Sequence, residues 1–93
     1  MSERYISHIH RDCVIREADG IHFLYHRPAG QTHILPPHAY LLLEAAAAAP
    51  ASFDDLLRAL ATGYALDGSA EERAGLLEHL ATLIEAGLIE TMP

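Results

Sequence analysis

The chain has 93 residues, 51% of them hydrophobic, with thirteen Asp and Glu against six arginines and no lysine, for a formal charge of −7. That length makes one domain, 1–93, with one modest core. Nucleic-acid binding rests on neutralising phosphates with Lys and Arg, and Arg4, Arg11, Arg16, Arg27, Arg58 and Arg73 are scattered along the chain, which argues against DNA, RNA and anionic membranes as partners.

In chain order, residues 1–10 read as an added extended segment. Residues 13–16 form a short β-branched run, and Ala18-Asp19-Gly20 is a strong turn signal. Residues 21–26 alternate, with Ile21, Phe23 and Tyr25 on one face and His22, Leu24 and His26 on the other. A second turn at Arg27-Pro28-Ala29-Gly30 leads to a third strand over 32–35. The three strands are expected to form one antiparallel meander.

The rest reads as three helices. The first spans 37–49, opening on Pro36-Pro37, where a missing N–H costs nothing. The second, 53–62, is capped by Ser52 with Asp54 and Asp55 in its first turn. Ser69-Ala70-Glu71-Glu72 is a capping-box sequence that starts the third, 70–86, and Gly87 ends it. Leu88-Ile89 continues as an extended tail. At about 100° per residue, Leu76, Leu77, Leu80, Leu83 and Ile84 share an arc of about 120°, and the small residues beside them widen it to about 180°. A helix covering a small sheet needs roughly 100° or a little more. The surplus is either core against another helix or one wall of a groove, and the pattern leaves both open.

Composition also bears on chemistry. The single cysteine, Cys13, provides no disulfide framework and fits a reducing compartment, the cytoplasm. No stretch has the form of a signal peptide. The apolar run 39–49 is interrupted by Glu44 and is too short to span a bilayer. Seven histidines, His8, His10, His22, His26, His33, His38 and His79, raise the question of a metal. His8 and His10 would share one face of an extended segment, and His26 and His33 flank the second turn as candidate cross-strand neighbours. No CxxC, HExxH or carboxylate at ligand spacing accompanies them. The histidines are therefore expected as polar or half-buried residues on the outer sheet face, with no metal. Cys13, in an apolar strand, reads as a small buried hydrophobe, and no motif supports a Cys–His nucleophile. No cofactor is expected, and the chain does not read as an enzyme.

What remains is binding. Three short strands followed by three helices have the order of a small α+β, winged-helix-like domain with the last helix over the sheet. The third strand lacks the lysine, proline or bulge that normally blunts a sheet edge. Either the N-terminal segment covers it, or a peptide adds to it as a fourth strand.

The stretch "VIREADGIHFLYHRPAGQTHILPPHAYLLLEA" resembles the first half of PqqD-like proteins, and "LLEHLATLIEAGLIE" resembles their C-terminal helix and its glycine ending. "LYHRPAGQTHIL" is most similar to the subgroup of PqqD-family peptide chaperones associated with HPr-kinase-related proteins. The similarity covers roughly residues 11–90, and it lies in the order and spacing of elements rather than in one motif. The resemblance implies a non-catalytic recognition element that binds the leader of a ribosomally made precursor peptide by strand addition and presents it to a modifying enzyme, with a homodimer compatible with that role. It implies Thr32, His33, Ile34 and Leu35 as the peptide-binding strand, and Arg73, Leu76, Leu77, Leu80 and Ile84 as the helix wall, with Arg73 contacting a peptide carboxylate. Pro36 stands where the family usually has Asn or another capping residue. A generic protein–protein adaptor, a winged-helix transcription regulator and a metal-dependent enzyme are the competing readings.

Overall fold

The structure, a computed structural model, describes residues 3–92. It is a small α+β domain. The chain runs β1 (Arg4–Ile6), α1 (Ile9–Asp12), β2 (Cys13–Ala18), β3 (Ile21–His26), β4 (Gln31–Leu35), α2 (Pro37–Ala48), α3 (Phe53–Gly63), α4 (Ala70–Glu85) and β5 (Glu90–Met92).

The expected meander is present as an antiparallel sheet of order β2-β3-β4. Asp19 and Gly20 both have positive φ, 53° and 80°, the backbone of a primed two-residue hairpin turn whose twist matches its strands. The turn lets β2 run to Ala18, two residues past the expected end, in register Arg16↔Phe23 and Ala18↔Ile21. β4 pairs with β3 through Phe23↔Ile34 and Leu24↔His33.

Two elements were not expected. Among the described residues the N-terminal segment is extended over Arg4–Ile6 only; Ile9–Asp12 turns into a single helical turn, which makes four described helices rather than three and puts His8 and His10 off any common strand face. The first two positions of that segment lie outside the described residues. The tail beyond Gly87 forms β5, which pairs with β1 in a separate two-stranded sheet, Tyr5 opposite Thr91. Tyr5 is bonded on its other side to Ala51, N–H to carbonyl in both directions at 2.7 and 3.0 Å. The buried Ser7 hydroxyl donates to the Leu88 carbonyl at 2.8 Å.

The helix ends follow local chemistry. Ser52 and Asp55 form a complete reciprocal box at α3, with bonds of 3.1 and 3.0 Å. The α4 box is only half made. Ser69 accepts from the Glu72 N–H at 3.2 Å, but the Glu72 carboxylate instead accepts from the Asp67 and Gly68 N–H groups, both at 2.8 Å. α2 starts without any side-chain cap; the Pro36 carbonyl takes the Ala39 and Tyr40 N–H groups. Gly87, at φ 77°, closes α4, with Gly87 N–H to Ile84 and Leu88 N–H to Leu83, each at 3.0 Å.

The core lies between the β2-β3-β4 sheet and the helices. It joins Leu24 and Leu35 from the sheet, Leu42 and Leu43 from α2, Leu56 from α3, and Leu76, Leu80 and Leu83 from α4. The helix whose backbone comes close to β3 and β4 is α2, not the last helix as expected. Its alanines permit that approach; Ala39 and Ala46 are buried. The doubt over the width of the α4 apolar arc resolves toward core for its centre. Leu80 is 1% exposed, so Leu80→Ala should lower stability to urea by about 2–5 kcal/mol, as for a buried leucine.

Candidate functional site

Among the described residues, β4 has a strand partner on one side only, since the sheet order ends with it. The N-terminal segment does not cover its outer edge, because β1 is taken up by β5 and Ala51. Pro36 follows directly and turns the chain into α2. Within β4, Thr32 and Ile34 are exposed, His33 is half-buried and Leu35 is buried; Ile34 is 65% exposed.

α4 lies alongside. His79 meets His38, three residues beyond the end of β4, with ring centroids 4.8 Å apart. At the other end, Gly87 lies against His26, with room for a Cβ at 3.5 Å from the His26 ring. His26 is the partner of Gln31, the first residue of β4. These two contacts place the middle of α4 against the start of α2, just past β4, and its C-terminal end against β3.

The expected helix wall divides among three places. Leu76 and Leu80 are in the core, so neither stands as an exposed wall beside β4. Arg73 and Leu77 face away from β4, toward an open cleft of about 400 Å³ shared with Glu3, Tyr5, Phe53 and Asp54. There Arg73 donates to Asp54 at 3.1 Å and its guanidinium sits 4.9 Å from the centre of the Phe53 ring, so its charge is already matched. Ile84, 38% exposed, belongs to the same flank; Arg73, Leu77 and Ile84 lie roughly 120–160° round the helix from His79. The opposite flank carries His79, which meets His38 at the start of α2, with Thr82 about 60° to one side and Glu72 about 20° to the other. The apolar arc pointed at the wrong flank because it marks what the helix buries.

A second cleft, of about 320 Å³, opens between the start of α2, the end of α3 and α4. Leu57, Leu60, Leu66 and Leu76 line it, with His38, His79 and Tyr64. Burial, then the neighbouring His79, holds His38 below its ordinary value of 6.5.

The histidines of the sheet sit opposite to expectation. His22, His26 and His33 lie on the inner face with Leu24 and Leu35, and Ile21, Phe23, Tyr25 and Ile34 point outward. His22 stacks on Tyr40 of α2, with centroids 3.6 Å apart and planes 5° from parallel. Burial and a 2.5 Å hydrogen bond to Glu44 push the Tyr40 hydroxyl up to about 12. His26 and His33 are not direct cross-strand partners; His33 opposes Leu24, and the two rings meet diagonally at 6.4 Å. One ring nitrogen in each of His22, His26 and His33 is buried without a hydrogen-bond partner. Among the described residues, no three His, Cys, Asp or Glu side chains are grouped to hold a metal ion. Burial raises the Cys13 thiol, with Asp12 adding to it. No described helix is long and apolar enough to cross a membrane.

No family model, curated protein or solved structure matches this chain.

His33 and His38 both fall below 6.5, chiefly through burial. The folded chain therefore disfavours their charged forms. Their stabilising contribution is whole above pH 6.5 and is lost as acid protonates the unfolded chain first. The melting temperature should fall between pH 7 and pH 5, and joint replacement of His33 and His38 by Gln should flatten that fall.

Proposed function

We propose that this domain is a non-catalytic peptide-binding module, winged-helix-like in arrangement and cytoplasmic. It takes the leader of a ribosomally made precursor peptide as an added strand on β4 and presents it to a modifying enzyme. One observation carries the reading: among the described residues, β4 ends the sheet with no strand on its outer side, although the chain has an N-terminal strand that could have filled it. A free edge is ordinarily blunted. Here Gln31–Leu35 has no proline, lysine or acid within it.

Strand addition takes affinity from main-chain bonds and selectivity from the side chains beside them. Thr32, His33, Ile34 and Leu35 remain the proposed strand. The proposed helix wall shifts from Arg73, Leu77 and Ile84 to the flank that includes His79. The resemblance to PqqD-like proteins supports the same role, and it supplies the identity of the partner class.

The test is a titration of the labelled domain, followed by amide NMR, with synthetic peptides covering the N-terminal segment of a short reading frame encoded beside this gene. Shifts should concentrate at Thr32–Ile34 and at His79. Leu77→Ala, on the far flank, should leave affinity within about twofold, since side chains outside an interface contribute little. Shifts confined to Phe53, Arg73 and Leu77, with β4 silent, would overturn the reading.

A further inference from the structure

The outer face of the β2-β3-β4 sheet is apolar, and no described residue covers it. Ile21, Phe23, Tyr25 and Ile34 are 37, 36, 44 and 65% exposed and adjoin one another across β3 and β4, with Phe23 directly opposite Ile34. Their exposed surface is on the order of 400 Å², the size of the largest apolar patch on a typical monomer, which is often functional. The helices that form the core lie on the opposite side, with His22, Leu24 and Leu35.

Charge distinguishes this face from the rest of the molecule. The chain carries −7, yet the register puts one charged residue here, Arg16, opposite Phe23. Arg16 is itself folded back, its guanidinium donating to the Ile15 carbonyl at 2.9 Å. No carboxylate shares the face, because Glu17 alternates to the other side opposite His22.

We propose that a second copy of this chain covers the face, sheet against sheet. Arg16, Phe23 and Ile34 form one row across the three strands. A two-fold axis running parallel to β3 lays each β2 over the partner copy's β4. It sets Phe23 against Phe23 and Tyr25 against Tyr25, as aromatic pairs. Arg16 then lies over Ile34, with the two arginines at opposite edges, so no like charges meet and every acidic group stays outside. The face is thus complementary to itself, as a two-fold interface requires. With the flanking positions included, the two copies together cover on the order of 1,200 Å², the lower end of specific interfaces. The dimer is accordingly weak, and both β4 edges remain open in it. The inference does not depend on peptide binding.

The test is sedimentation of the full chain from micromolar to millimolar concentration, at low and at high salt. The expected result is a reversible monomer–dimer equilibrium whose dimer fraction rises with salt, because two chains of −7 repel until screened. Phe23→Glu should weaken association by about tenfold or more, as for a central aromatic anchor. Tyr25→Glu is the second variant, at the more exposed position, and circular dichroism melting verifies that each still folds. Both residues lie on β3, whose backbone is paired on both sides, so peptide binding at the β4 edge is left intact. Leu77→Glu, on α4, should leave association unchanged. A monomer at every concentration, or a dimer that neither β3 substitution weakens, would overturn the proposal.

Discussion

The arrangement depends on how Tyr5 is held. Its backbone is bonded to Ala51 on one side and lies opposite Thr91 on the other, so the N-terminal strand is committed between the α2–α3 connection and the C-terminal tail. Ser7 extends the same clasp, with its N–H to Ala46 and its hydroxyl to Leu88. A strand used in this way cannot also pair with β4. The open edge of the main sheet is therefore a consequence of hydrogen bonds made at the far end of the chain.

α4 links the two halves of the structure. Its central leucines enter the core, one flank holds Arg73 over Phe53 and against Asp54, and the other brings His79 to His38. The ending at Gly87 needs the left-handed conformation, and it allows the chain to pass close to His26 before Leu88 and Ile89 return to the core. These contacts tie the middle of α4 to α2 and its C-terminal end to β3.

The sheet presents an inverted distribution of polarity. Three histidines face the helices and a row of large apolar side chains faces outward. The cost of burying an imidazole is limited by stacking, as His22 does on Tyr40. The outward face has no comparable explanation within a single chain, and it is the face proposed to receive a second copy.

Several features were legible in the residues alone because they depend on neighbours close in sequence. Asp19-Gly20 needs positive φ, Ser52 and Ser69 cap the helices that follow them, and Gly87 ends α4. These local preferences located all three main strands and all three long helices. Alternation along β3 separated its two faces, but period alone carries no sign, so it could not say that the histidines go inward. The arc of leucines on α4 showed what is buried, and the neighbour of each flank was settled by contacts far along the chain. The pairing of β1 with β5, the freedom of the β4 edge and the meeting of His38 with His79 were decided by tertiary structure. Each joins residues whose separation in sequence leaves no local trace of the bond between them.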